Sequence, residues 1–240
     1  MTKLTLKPIL REAWQKVSGA KRYFFVAFLA LIALQGSLLI VQLLLQDYVS
    51  KTVMIRIAVN VVSLFICTPL VAGFVMLGVR RAREEVLGYK DGFAYFKKAI
   101  PLFLTQLLIL ISIWVVIFGL SFLAIGTVLA AHEVNQVVFL LSGVIIFIVL
   151  LGIVIVLQAL FSFAFIVVAD LGRSPWQAYK QSVRMAFPNL KILFLAELFF
   201  LVLDILGSIP FGIGLLWTLP FSFIATGIFY REISKNINIK

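Results

Sequence analysis

Polar residues along the chain interrupt six long apolar runs, at residues 23–46, 53–79, 101–128, 137–168, 190–208 and 211–230. A helix needs about 20 such residues to cross a bilayer, so the pattern predicts six transmembrane helices. The fourth run is longer than a span requires and must tilt, project or bend, with Gly143 and Gly152 as the expected bend points. Pro69 in the second run and Pro220 in the sixth each predict a kink, because proline cannot donate to the helical ladder.

Outside these runs the pattern becomes amphipathic. Ser174 is a good N-cap and Pro175 suits the first helical position. From there Trp176, Tyr179, Val183 and Phe187 fall on one helical face, and Gln177, Lys180, Gln181 and Arg184 on the other. Near the start of the chain Pro8, Leu10, Ala13, Trp14 and Val17 oppose Lys7, Arg11 and Lys16. A third such segment sets Tyr89, Phe93, Phe96 and Ile100 against Lys90 and Lys97. Each predicts a helix lying in the headgroup layer ahead of an apolar hairpin. The expected fold class is therefore all-α: a polytopic membrane protein with six transmembrane helices and three cytoplasmic amphipathic interfacial helices. It forms one integral membrane domain over residues 1–240, read as three degenerate repeats at 1–84, 85–170 and 171–240. Two echoes support repetition: Pro69 and Pro220 each precede an arginine, Arg80 and Arg231, by eleven residues, and Phe-Ser-Phe occurs at 161–163 and 221–223.

Composition sharpens this picture. With 63% hydrophobic and 13% charged residues the chain is too apolar for a soluble globule. A net charge of +11 would point to nucleic acid in a soluble protein. Here, however, the cations flank the spans, and all 21 lysines and arginines except Lys51 and Arg56 fall on one side of the six-span path. The positive-inside rule then places both termini in the cytoplasm. Nucleic acid is not an expected partner. Anionic lipid headgroups are, with Lys16, Lys90, Lys97, Lys180 and Arg184 as their expected contacts. Cys67 is the only cysteine, so no intrachain disulfide exists.

Little catalytic chemistry is written in the chain. His132-Glu133-Val134-Asn135-Gln136 lacks the second histidine of the zinc-protease pattern, and no other histidine is present. That removes a histidine zinc site and the usual base of Ser-His catalysis. No enzyme activity, catalytic residue, metal or cofactor is expected. Glu197 and Asp204 stand out, because ionisable groups inside a span are costly and point to function. Seven residues apart, roughly 10 Å along a helix, they share one face of the fifth span. Asp204 matches Arg56 and Asn60 in expected depth, so an ion pair or hydrogen bond with one of them is expected. Glu197 has no cation at its depth, and Gln106 and Gln158 are its expected neighbours.

Toward the C-terminus Phe165-Ile-Val-Val-Ala-Asp170 runs into Ser174-Pro175-Trp176-Gln177-Ala178. Gly207 and the stretch Gly212-Ile-Gly214-Leu-Leu-Trp-Thr218-Leu-Pro220-Phe221 follow. This third of the chain resembles the uncharacterised bacterial six-helix inner-membrane families grouped with YciC and with the membrane domain of some glycerophosphodiester phosphodiesterases. The resemblance implies a six-helix protein of the bacterial inner (plasma) membrane and no assigned catalytic residue. Two functions stay open. One is a non-enzymatic membrane protein that binds anionic lipid or organises partners through its basic interfacial helices. The other is a small transporter or channel in which Glu197, Asp204 and Arg56 line a polar path.

Overall fold

The computed structural model describes residues 4–44, 53–209 and 212–237. Its helices are α1 Leu6–Val17, α2 Lys21–Leu44, α3 Val53–Ala82, a 3-10 helix Asp91–Lys98, α4 Ala99–Val134, α5 Gln136–Phe161, α6 Ala164–Leu171, α7 Pro175–Ala186, α8 Leu190–Ser208 and α9 Leu215–Ile237. No strand occurs among the described residues. Four stretches are long and apolar enough to cross a membrane, Lys21–Leu44, Val53–Ala82, Asp91–Gly126 and Gln136–Leu171. Much of their surface is exposed Leu, Ile, Val, Met and Phe, as at Leu44, Met54, Phe122 and Phe147. Such a surface belongs in lipid, and the protein is an integral membrane protein. The fifth and sixth expected spans correspond to α8 and α9; α8 is only 19 residues long and contains Lys191, Glu197 and Asp204.

Burial concentrates in one half of the bundle. The core joins α3 from Leu70 onward, α6, and α9 from Phe221 to Ile233. Backbone contact makes this possible. A Cβ on Gly78 of α3 would strike the Phe223 carbonyl of α9, and one on Gly227 would lie 2.7 Å from the Gly78 carbonyl. Only glycine allows two helices this close, and the approach brings Phe74 and Phe223 to 5.7 Å between ring centroids.

The long fourth run breaks, but not at a glycine. Helix α5 ends at Phe161 and α6 begins at Ala164, whereas Gly143 and Gly152 lie inside continuous helix with open space beside them. The break is closed from outside by Ser182 of α7, which is fully buried. Its hydroxyl donates to the Leu160 carbonyl at 2.8 Å and accepts from the Phe163 N–H at 3.2 Å. A polar group placed to satisfy freed backbone is what decides where a membrane helix bends.

The amphipathic segments differ from the two-faced expectation. Helix α7 docks through Ala178, Ser182, Met185 and Ala186, a third face of mostly small residues, while Trp176 and Phe187 point outward. Likewise α1 buries Ile9, Ala13 and Val17 against α9 and leaves Trp14 63% exposed. Small side chains let a helix approach the bundle, and the rings remain free for the lipid boundary. The middle segment is a 3-10 helix rather than an α-helix. Its Gly92 backbone is lodged against Gly73 of α3, where a Cβ would overlap the Gly92 carbonyl.

Candidate functional site

Helices α3, α4, α5, α8 and α9 surround a cavity of about 450 Å³. Val71, Val75, Ile109 and Phe200 form apolar wall, while Gln106, Gln158, Glu197 and Asp204 supply amides and carboxylates. Helix α9 adds Ser222 and Thr226. These hydroxyls spend their hydrogens on their own helix: Ser222 donates to the Thr218 carbonyl at 3.0 Å and Thr226 to the Ser222 carbonyl at 2.9 Å. Their remaining lone pairs are acceptors, so the site offers mainly acceptor oxygens plus two amides. No ion pair reaches Glu197 or Asp204 among the described residues. One Asp204 oxygen is buried next to the Thr218 hydroxyl of α9, which lies close enough to serve as its donor. The arrangement suits a cation or a donor-rich solute.

Seven-residue spacing alone puts Glu197 and Asp204 on one face of α8, and the structure turns that face into the cavity beside Gln106 and Gln158. Arg56 and Asn60 do not join them. Both are exposed on the early turns of α3, while α8 packs on α5 and α9, so the expected pairing of Asp204 with Arg56 or Asn60 is not formed. Matched depth is not adjacency, because depth says nothing of which helices are neighbours. The hydroxyls of α9 went unread, although Thr218, Ser222 and Thr226 at intervals of four place three of them on one face.

A second polar cluster lies at the basic end of the bundle. Arg83 grips Asp170 through two hydrogen bonds of 2.8 and 2.7 Å, and the Tyr230 hydroxyl donates to the same carboxylate at 3.1 Å. The Asp170 carboxylate holds the Arg83 guanidinium above its ordinary pKa. Arg231 grips Glu12 of α1 in the same bidentate way, at 3.0 and 3.1 Å. Lys98 donates to the Ala169 carbonyl at 2.6 Å, and Arg80 pairs with Glu85 and Asp91. Burial opposes the Glu12 carboxylate, but donation from Arg231 and Lys16 outweighs it and holds its pKa below the ordinary value.

This cluster corrects one expected lipid contact. Lys16 turns inward, pairing with Glu12 at 2.9 Å and Glu84 at 3.0 Å and donating to the Ala82 carbonyl, with its side chain only 13% exposed. Two acids, Glu12 on its own helix and Glu84 after α3, together with the Ala82 carbonyl outcompete the surface for it. Lys90, Lys97, Lys180 and Arg184 are exposed. The side chains of His132 and Glu133, and all of Lys51, lie outside the described residues.

No group of three or more His, Cys, Asp or Glu side chains that would hold a metal occurs among the described residues. The family described as a protein of unknown function (DUF975) matches residues 2–237, and the chain belongs to it. No curated protein matches the chain. No solved structure matches it either.

Proposed function

We propose that this DUF975 member is a non-enzymatic six-span membrane protein that takes a cation or a donor-rich polar solute into the cavity between α3, α4, α5, α8 and α9. One observation carries the reading. Two carboxylates, Glu197 and Asp204, face a shared cavity of about 450 Å³ with no cation paired to either among the described residues. Uncompensated acids are costly in low dielectric, and a positively charged or strongly donating guest offsets that cost. The neighbouring lone pairs of Ser222 and Thr226 add acceptors, so Arg56 is not needed in the path.

A direct test uses the full chain in liposomes, with protons followed by an internal pH dye and an organic cation followed by ethidium fluorescence. The wild type is expected to move or bind at least one probe. Glu197→Gln and Asp204→Asn are each expected to lower that signal about tenfold, the worth of a lost charged hydrogen bond. Rates equal to empty liposomes, or both variants matching the wild type, reject the cavity as a solute site.

A second reading has its own support. Lys90, Lys97, Lys180 and Arg184 are exposed and form no ion pair among the described residues, and the Lys180 ammonium lies 4.8 Å from the Trp176 ring centroid. Cations beside aromatic rings suit an anionic headgroup layer. In this reading the 91–98 and 175–186 segments rest on the inner-membrane surface as parts of three repeats, with both termini cytoplasmic.

A further inference from the structure

Between α1 and the α8–α9 hairpin runs a groove of about 650 Å³ that is separate from the acidic cavity. Leu10 and Trp14 form one wall, and Phe199, Leu203, Trp217 and Phe221 the other, so its accessible surface is apolar. Its edge is cationic. Arg11 lines the groove, is exposed and forms no ion pair among the described residues. Lys21 stands with its ammonium 5.1 Å from the Trp217 ring centroid. The acid nearest in sequence, Glu12, is already gripped by Arg231 and Lys16, so it does not neutralise this edge.

From this juxtaposition we infer that the groove seats one acyl chain of an anionic phospholipid, with Arg11 and Lys21 holding its phosphate. The apolar walls match a hydrocarbon chain. A guanidinium matches phosphate geometry with paired hydrogen bonds, and a lysine adds a second charge. Charge complementarity therefore selects the headgroup, while the trough selects the chain. The bound lipid also braces α8, since Phe199 and Leu203 face the groove while Glu197 and Asp204 face the cavity. The site does not depend on what the cavity carries, and it is distinct from the surface cations of α7.

The experiment uses the full chain with Trp114→Phe and Trp176→Phe, leaving Trp14 and Trp217 as the reporters. The protein is placed in phosphatidylcholine nanodiscs containing a small fraction of brominated phosphatidylglycerol, or the same fraction of brominated phosphatidylcholine. Tryptophan quenching is expected to saturate with the anionic lipid at a low mole fraction and to exceed quenching by the neutral one. Arg11→Gln is expected to weaken the apparent affinity about tenfold. Leu203→Phe, which fills the groove without touching its cations, is expected to remove the saturable component. Lys180→Gln with Arg184→Gln, on α7, is expected to leave it unchanged, and this pair separates the groove from general attraction of the basic surface. Equal quenching by the two lipids overturns the proposal, as does an unchanged affinity in Arg11→Gln. Absence of quenching in a chain that is dimeric at the same dilution assigns the groove to a second copy and overturns it as well.

Discussion

Ser182 shows how much one hydroxyl decides. Fully buried, it donates to Leu160 and accepts from Phe163 across the α5–α6 break. Removing it strands a backbone donor and acceptor, at a cost of about 1–3 kcal/mol. Ser162 lies in the same break, but its hydroxyl bonds only the Ala159 carbonyl of its own helix at 3.0 Å. Such back-bonding contributes little. Ser182→Ala is thus expected to lower the thermal unfolding midpoint of the purified protein clearly, and Ser162→Ala hardly at all. Equal losses would show that Ser182 does not close the break.

At the scale of the element, α1 illustrates how an amphipathic helix acquires a fixed seat. Its small buried face fits α9, and the Glu12–Arg231 grip sets its register. Because the folded state depresses the Glu12 pKa, that contribution is fully present above the unfolded carboxylate value near pH ~4.3 and is lost as pH falls through the lower folded value. Glu12 is one-third exposed, so solvent screening limits the gain to about 1 kcal/mol. Thermal midpoints measured downward from pH ~6 are expected to fall less steeply in Glu12→Gln than in the wild type below pH ~4. Parallel curves would mean that the pair does not tie α1 to the bundle.

For the whole molecule, the ion pairs gather where α1, the ends of α3, α6 and α9, and the 91–98 segment meet. Charges in that layer need the water and headgroups at one face of a membrane, and a six-span path would put nearly all the cations of the sequence on the same side. Reporter fusions at both termini and at residues 87 and 173 are expected to read cytoplasmic, and fusions at residues 49 and 133 external. An external C-terminus would overturn the six-span path.

Helical content and apolar length were settled by the sequence, because both arise from local causes. A bilayer demands runs of one character, and a 3.6-residue period sorts each run into faces, so Glu197 and Asp204 shared a face before any neighbour was known. Even the hydroxyls of α9 were written there as a four-residue interval. Tertiary structure decided what each face meets. Glycine contact between α3 and α9 sets which helices touch, leaving Arg56 on an exposed turn while Asp204 looks into the cavity. Ser182 reaches across 22 residues of chain to the Leu160 carbonyl and moves the bend away from Gly143 and Gly152. Lys16 likewise finds Glu84 rather than lipid. Periodicity fixes direction around one helix axis, whereas a partner is chosen by close packing among several helices, which no single stretch of sequence contains.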